Sequence, residues 1–339
     1  MTLTVGIAGC GYFGQFHQEA WSRIDAARVI AIADQDETKL ARAAERFPQA
    51  QRFKDAGEMF AKARPDVVDI VTAPETHLPL VSLAAQNGIA AICQKPLAPT
   101  WEECVAVVET AERAGTRLIV HENFRFMPWF LESKALIDRG LIGAPMNISF
   151  RLRPGDGQGP DAYLSRQPYF QKMPRFLIHE TAIHLIDVFR FLFGEISGVF
   201  AKLKKLNPAI AGEDAGIVVF DFANGASGIF DGNRHIDHPA DDTRMTNGVL
   251  LVEGTGGSIR LDGFGRLFVR SRGGQESEHR YTWEKRGYGG DCVFKQTQHA
   301  VDHLISGTKA MNEGRDYLRN LAIEEAIYRS NSEGRFITL

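Results

Sequence analysis

The chain has 339 residues, with 39 Lys plus Arg against 42 Asp plus Glu and a net charge of −3. That length suits two domains with a core each, and the charge balance gives no reason to expect a nucleic-acid or anionic-membrane partner. Cys10, Cys93, Cys104 and Cys292 form no C-x-x-C pair, the start MTLTVGIAGCGYFG is not that of a secretion signal, and the longest uncharged run, Thr76 to Gln94, is broken by His77, Pro79, Gln86, Asn87 and Gly88. A disulfide framework, a zinc cage, a membrane span and disorder are thereby disfavoured, and a reducing cytosol is the expected location.

In chain order, Thr4 to Ala8 reads as a short apolar strand stopped by Gly9. Phe13, Phe16, Ala20, Trp21 and Ile24 then recur at helical spacing. Val29 to Ala33 predicts a second strand, Thr38 to Arg46 a helix, and Val67 to Thr72 a third strand ended by Ala73-Pro74. Leu80 to Gln86 predicts a helix closed by Asn87-Gly88, and Trp101 to Ala114 one lying between strands Ile89 to Cys93 and Leu118 to Val120. This alternation predicts crossover units and a doubly wound parallel sheet.

The second half differs. Asn147 to Leu152, Ile217 to Phe222, Ser227 to Phe230, Gly248 to Glu253, Ser258 to Leu261 and Arg266 to Val269 read as short strands. The turns Ala223-Asn224-Gly225-Ala226 and Gly254-Thr255-Gly256-Gly257 are hairpin signals, so this sheet is expected to be largely antiparallel. A helix over Leu177 to Phe193 and a terminal one after Gly290 accompany it. Pro154 to Pro174, rich in Gly, Pro and aromatics, is long enough to suggest a lid or binding loop.

Gly9-Cys10-Gly11-Tyr12-Phe13-Gly14 is G-x-G-x-x-G, and it follows a strand and opens a helix, as its chemistry requires. The first glycine permits the tight turn, the second lets the backbone approach a pyrophosphate, and the third brings helix against strand. The phosphates then face unpaired N–H groups at the positive end of the helix dipole. Asp34, at the end of the second strand, accepts from the adenosine ribose hydroxyls and repels a 2′-phosphate, which favours NAD over NADP. Neutral Gln35 leans the same way. Gly9, Gly11, Tyr12, Phe13, Gly14, Asp34 and Gln35 are the expected dinucleotide contacts; a generic turn and a capping aspartate explain them singly, but not their spacing together.

Strand ends of such a sheet face the cofactor. Three carry polar groups: Thr72 with Pro74 and His77, then Gln94-Lys95-Pro96, then His121 to Arg125. Lys95 is the acid–base candidate, because a partly buried ammonium loses proton affinity; an exposed lysine at a loop start would fit the same place. His179-Glu180-Thr181-Ala182-Ile183-His184-Leu185-Ile186-Asp187 is close to H-E-x-x-H, yet on an α-helix its two histidines point about 140° apart, so no metal is expected. Glu180 with His184, and His184 with Asp187, share a face. That suits a general base with an orienting carboxylate, or a histidine held by carboxylates where helices pack. Tyr163, Arg166, Tyr169 and Arg175 are of the types that grip hydroxyls or stack on a sugar ring, and equally of the types that pack a loop. Asn233, Arg234 and His235 are weaker candidates of the same kind. His17, His238, His279, His299 and His303 are expected on solvated surfaces.

In order and spacing these segments resemble one family over nearly the whole chain, the Gfo/Idh/MocA group of glucose–fructose oxidoreductases and inositol dehydrogenases. VGIAGCGYFG and AIADQD resemble its nucleotide-binding start, and DVVDIVTAPETHLPL its strand end with threonine, proline and histidine. CQKPLAPT is similar to its E-K-P signature and HENFRFMPW to its N-x-R-F-x-P element. HETAIHLIDVFRFLFGE resembles its helix with a D-x-x-x-H pair, and HLISGTKAMNEGRDYLRNLAIEEAIYRSNSEGR its closing helix. The resemblance implies an NAD-binding Rossmann domain over 1–122. It implies an open, mostly antiparallel sheet with helices on one face over 123–339, binding substrate and mediating homodimers or homotetramers.

It also implies oxidation of a sugar, polyol or related hydroxyl by hydride transfer to NAD. Carried over by position, Lys95 would hydrogen-bond the reacting oxygen, His184 would take its proton, and Glu180 would orient His184 or bind a neighbouring hydroxyl. Thr72, Pro74, His77, Gln94 and Asn123 would line the nicotinamide and ribose, with Tyr163, Arg166 and His179 on the substrate side. Gln94 stands where the family usually has Glu, which removes a negative charge beside Lys95. Glu180 replaces the usual Asp and reaches one methylene further. HETAIHLIDVFRFLFGE and GYGGDCVF look most like members that oxidise catabolic aldoses, the D-apiose dehydrogenase group among them. The leading expectation is therefore oxidation of an aldose, D-apiose or another pentose or hexose, at C1 to a lactone or aldonate. Alternatives are an inositol or polyol dehydrogenase, an aldose–aldose oxidoreductase with a tightly held cofactor, and a non-catalytic sensor of NAD or sugar. A sensor would have no need of both Lys95 and His184.

Overall fold

A computed structural model of the protein describes residues 2–339. It divides into two compact units, Met1–Asn123 with Cys292–Arg319, and Phe124–Asp291 with Asn320–Leu339.

The first unit alternates β1 (Leu3–Ala8), α1 (Gly14–Trp21), β2 (Ala27–Ala33), α2 (Glu37–Arg46), β3 (Gln51–Phe53), α3 (Ala56–Ala63), β4 (Val67–Ile70), α4 (His77–Gln86), β5 (Ala90–Gln94), α5 (Trp101–Arg113) and β6 (Leu118–His121). The six strands pair in parallel in the order β3-β2-β1-β4-β5-β6, the doubly wound Rossmann order. Strand order reverses at β1/β4, where a crevice forms outside the strand ends. The strands are apolar almost throughout, as both faces of the sheet are covered. Helix starts are set by side chains. Asp36 accepts from Thr38 N and Lys39 N at α2, and Thr100 with Glu103 forms a capping box at α5. Caps of this kind contribute about 1 kcal/mol each. The sequence reading missed β3 and α3, both short; Asp55, accepting from Glu58 N at 2.7 Å, is the start signal it passed over.

The second unit carries α6 (Pro128–Asp138), β7 (Pro145–Leu152), α7 (Ile183–Phe193), β8 (Ile196–Lys204), β9 (Ala215–Phe222), β10 (Ser227–Asn233), the one-turn α8 (Thr243–Thr246), β11 (Gly248–Gly254), β12 (Gly257–Leu261), β13 (Leu267–Ser271) and β14 (Ser277–His279). After α9 (Cys292–Ser306) and α10 (Gly314–Glu333), β15 (Ile337–Thr338) completes the sheet. The strand order is β14-β13-β12-β11-β7-β10-β9-β8-β15, and among the described strands of this sheet only β7 and β10 are parallel neighbours. Both expected hairpins form. One face packs under helices, with Phe189 against Phe220 and Phe130 near Phe150. The other face leaves Phe200, Ile217 and Ile229 exposed.

The contacts divide the chain differently from the expected break at 122/123. Residues 292–319 join the first unit because the apolar side of α9 and the connection after it complete its core: Ala300 and Val301 of the helix and Ala310 beyond it pack with Leu3, Val5, Trp21, Ile24 and Ile119. Arg117 ties this segment down, donating to His303 O, Thr308 O and Glu313.

Candidate active site

The three fingerprint glycines are needed for three different reasons. Gly9 has φ +100°, and a Cβ there would lie 2.3 Å from Val71 O. A Cβ on Gly14, the first residue of α1, would lie 2.8 Å from Gly9 O. A Cβ on Gly11 would meet nothing within 4 Å, so here the backbone borders open space that a pyrophosphate can enter. Asp34 locks the loop from β2. Its Oδ2 accepts from Cys10 N at 2.7 Å and its Oδ1 from Asp36 N at 2.8 Å. Each oxygen keeps a second lone pair for a ribose hydroxyl. Burial and the Asp34 charge push the Cys10 thiol up to about 12, so it stays protonated beside the phosphate loop. Tyr12 is exposed and sits edge-on to Phe16, and Gln35 is exposed. These groups fit a dinucleotide.

At the end of β4, Thr72 is half-buried and accepts from the Thr76 hydroxyl at 2.6 Å. Pro74 opens the next turn. His77 is fully buried, its Nε2 3.2 Å from Thr72 O and its Nδ1 3.1 Å from Leu97 O. Burial holds its pKa below the ordinary imidazole value, outweighing those carbonyls. With no exposed surface, His77 fixes the backbone of Thr72 and Leu97 rather than lining a pocket. At the end of β5, Gln94 is buried and Lys95 half-buried, joined to Pro96 by a cis bond. At the end of β6, Asn123 is buried, its amide 3.4 Å from Cys292 Sγ. His17, expected on the surface, is fully buried. The signal was present: it lies four residues from both Phe13 and Trp21, on the apolar stripe of α1.

In the second unit the predicted helix opens as a π-helical segment, Leu177–Ala182, before α7. The α-helical arithmetic for residues 179 to 182 therefore fails, because a π turn is wider; such segments often occur at functional sites. His179 Nδ1 pairs with Glu324 at 2.7 Å. Glu180 accepts from the Thr181 hydroxyl at 2.5 Å and lies 3.6 Å from Arg234 Nη1. His184 is buried and stacks on Phe124, centroids 3.9 Å apart and planes 5° off parallel. Asp187, expected to orient His184, is the bidentate partner of Arg125 at 2.6 and 2.5 Å and also accepts from Asn320 at 2.7 Å.

The long middle loop has its own core of Ala162, Tyr163, Phe170, Phe176 and Ile210. Tyr163 is buried, donates to Asp156 at 3.1 Å and accepts from Arg234 Nε at 2.8 Å, so of its two readings it takes the packing one. Burial pushes its phenol above the ordinary range. Arg166 is half-buried and pairs with Asp156, and Arg175 pairs with Glu325. Arg234 is the hub the sequence underrated. It donates to Thr181 Oγ1 at 2.6 Å, pairs with Asp156 and faces the Phe176 ring at 4.6 Å. Burial disfavours its charge, yet Asp156, Tyr163 and Glu180 together hold its pKa above the ordinary value. His238, also expected in solvent, is buried against Arg153 O.

Comparison with known proteins decides the family. Residues 3–122 match the model of an oxidoreductase family with an NAD-binding Rossmann fold, and residues 130–260 match the GFO/IDH/MocA C-terminal domain. The chain belongs to the Gfo/Idh/MocA oxidoreductase family. It is 34% identical over 343 residues to a D-apiose dehydrogenase of Rhizobium rhizogenes, covering 99% of this chain and 97% of that one. It is 25% identical over 345 residues to a myo-inositol 2-dehydrogenase of Thermotoga maritima, covering 99% and 98%. Among solved structures it superposes at TM-score 0.90 and 33% identity on an oxidoreductase of Agrobacterium radiobacter in complex with NAD+, L-tartaric acid and magnesium, covering 100% and 98%. A levoglucosan dehydrogenase complex with NADH and levoglucosan, at 24% identity and TM-score 0.85, shares the fold.

As a Gfo/Idh/MocA member, the protein is an NAD-binding oxidoreductase. Glu180 and His179 keep part of their side chains at the surface, as does Arg166. Among the described residues no group of three or more His, Cys, Asp or Glu is arranged to hold a metal, and no helix is long and apolar enough to cross a membrane.

Proposed function

We propose that this protein is an NAD-dependent aldose dehydrogenase that oxidises the C1 hydroxyl of D-apiose or a closely related sugar to the lactone. The observation that carries this reading is its similarity to D-apiose dehydrogenases at 34% identity along almost the whole of both chains. A cyclic polyol is the second reading, favoured by an inositol 2-dehydrogenase of Saccharopolyspora erythraea at 34% identity over 58% of this chain.

NAD, when bound, supplies the hydride acceptor. The loop Gly9 to Gly14 and the first turn of α1 hold its pyrophosphate, and Asp34 its adenosine ribose. Tyr12, Phe13, Gln35, Thr72, Pro74 and Asn123 border it, while His77 and Gln94 support these positions from behind. His184 takes the proton of the C1 hydroxyl as the C–H and O–H bonds break and the carbonyl forms. The parallel stack on Phe124 fixes its ring plane. Lys95 donates a hydrogen bond to the same oxygen and stabilises the charge that grows there. Glu180, with its charge balanced by Arg234 through Thr181, accepts from a neighbouring hydroxyl. His179 and Arg166 add further contacts, and Tyr163 anchors the loop that carries Arg166.

We further propose that residues 1–122 bind NAD and 123–339 bind substrate and oligomerise, with Cys292–Arg319 bracing the first unit. The exposed face of the nine-stranded sheet suits a homodimer or homotetramer. Phe200, Val219, Ile229 and Leu251 lie in one cross-strand row, with Ile217 and Val249 in the next. Four buried, reduced cysteines suit the cytosol.

The test is the rate of NADH formation with NAD or NADP and a panel of D-apiose, other pentoses, hexoses and myo-inositol. D-Apiose with NAD is expected to give the highest kcat/KM; a higher value for myo-inositol favours the second reading. Lys95→Ala and His184→Ala are each expected to lower kcat about 100- to 10,000-fold with NAD affinity nearly unchanged. Wild-type rates in both variants would remove these residues from the chemistry.

A further inference from the structure

Behind the end of β5 the first unit holds a single chain of buried polar groups. Trp21 Nε1 donates to Asp69 Oδ2 at 2.6 Å, and His17 Nδ1 lies 2.8 Å from the same oxygen. Gln94 Nε2 lies 3.2 Å from His17 Nε2, and Lys95 N donates to Gln94 Oε1 at 2.7 Å. Asp69 and His17 are 0% exposed and Gln94 8%, so solvent does not compete for these bonds.

The chain admits one order of protons. Gln94 gives its carbonyl oxygen to Lys95 N–H, so its amide nitrogen is the atom that faces His17, and an amide nitrogen only donates. His17 Nε2 must then be the lone pair, and Nδ1 must carry the proton to Asp69. Every N–H from Lys95 onward points toward the one buried carboxylate. Bonds aligned in this way in a low dielectric reinforce one another. The other ionisable groups against the chain are His121, its ring 4.1 Å from that of His17, and the buried Cys93 thiol, which feels the Asp69 charge.

This chain joins two functional pieces. His17 sits one turn into α1, three residues after Gly14, on the helix whose N-terminus faces the phosphates. Gln94 immediately precedes Lys95. Resting on the reading above that Lys95 acts on the reacting oxygen, we propose that Asp69, His17 and Gln94 are positioning residues: a proton-ordered chain that ties the backbone of Lys95 to the cofactor-binding helix. The lysine is thereby held in register with the bound dinucleotide, and a side chain that touches neither cofactor nor substrate controls the rate.

The experiment measures kcat, the KM for NAD and for sugar, thermal denaturation and the pH–rate profile of the full-length protein. Gln94→Met fills the space but can neither donate to His17 nor accept from Lys95. It is expected to lose kcat about ten-fold or more, the effect of roughly one misplaced catalytic hydrogen bond, with the KM for NAD within about two-fold. Gln94→Glu restores an acceptor for Lys95 N–H. It is expected to recover much of that kcat and to displace the alkaline limb of the profile upward, because a carboxylate beside Lys95 favours its ammonium. His17→Phe should lose kcat as Gln94→Met does, and the double variant should lose no more than the worse single. If His17→Phe unfolds at assay temperature, His17→Gln, which can still accept from Gln94 and donate to Asp69, should recover activity. Wild-type kcat and pH profile in Gln94→Met, with Lys95→Ala inactive, would overturn the proposal, as would additive losses in the double variant. Full activity in Lys95→Ala would instead overturn the catalytic reading beneath it.

Discussion

At Asp34 one carboxylate has two duties. It closes the glycine loop by accepting from Cys10 N and Asp36 N, and in the function proposed above its charge selects against a 2′-phosphate. Asp34→Asn separates them, because the amide oxygen still accepts from Cys10 N while the charge is gone. Loss of a charged hydrogen bond to ribose is worth about 1.5–3 kcal/mol, so the KM for NAD is expected to rise about ten-fold or more, while that for NADP falls. Steady-state kinetics with both cofactors checks this, and an unchanged NAD/NADP ratio would take Asp34 out of cofactor selection. The places of Asp34 and the glycines were legible in the sequence because they are local features: a turn, a helix start, a strand end. His17 was misread because its polarity was weighed above its place on the apolar stripe. Arg234 could not be ranked at all, since its partners Asp156 and Thr181 lie 78 and 53 residues away.

Among the elements, those with strong periodicity appeared where the pattern put them: β1, α1, β2, α2, β4, α4, β5, α5 and β6 in the first unit, and β9 through β12 in the second. Misses fell on short pieces such as β3, on α6, whose sole start signal is Pro128, and on the nine-residue β8. The π-helical opening of the Leu177–Phe193 helix was beyond reach, because the apolar spacing of that segment is read at the α-helical period and carries no separate mark for a wider turn. The connection between β4 and β5 carries a pH-dependent element that the sequence hid. His77 lies fully buried between the Thr72 and Leu97 carbonyls, donating in its neutral form to one of them, and burial depresses its pKa. Unfolding frees it to bind a proton at the ordinary value of 6.5. Its neutral form therefore supports the fold fully above that value, and this support is lost as pH falls from there toward the folded-state pKa. His77→Gln cannot titrate. The drop in Tm between neutral pH and pH about 5 is expected to be smaller in this variant than in the wild type. Equal drops would mean that His77 does not contribute to acid sensitivity.

Across the whole molecule, the largest feature unexplained by folding alone is the outer face of the nine-stranded sheet. In a sheet covered on one side, alternation should leave the other side polar. Here β9 and β10 alternate cleanly, yet Ile217 and Ile229 are the residues turned outward, 51% and 46% exposed, beside Phe200 at 39%. The row of Phe200, Val219, Ile229 and Leu251 is interrupted only by Ser149 and ends at Arg260, while in the next row Lys202, Asp231 and Arg151 flank Ile217 and separate it from Val249. An apolar row flanked by charges suits a surface for another protein, and in the homo-oligomer proposed above a second copy of this chain would meet it with a matching row. Ile229→Lys tests this at the centre of the row. In an isolated subunit the substitution lies on an exposed strand and should change stability by no more than about 0.5 kcal/mol. In an assembly it buries an unpaired ammonium, at a cost of roughly 3 kcal/mol or more, which weakens association about a hundred-fold or more. Sedimentation velocity of the wild type is expected to show a dimer or tetramer, and that of Ile229→Lys a shift to the subunit mass with the far-ultraviolet dichroism retained. An unchanged assembly would exclude this face from the interface; a variant that unfolds instead of dissociating would show that the subunit is not stable without its partner, the behaviour of an obligate oligomer.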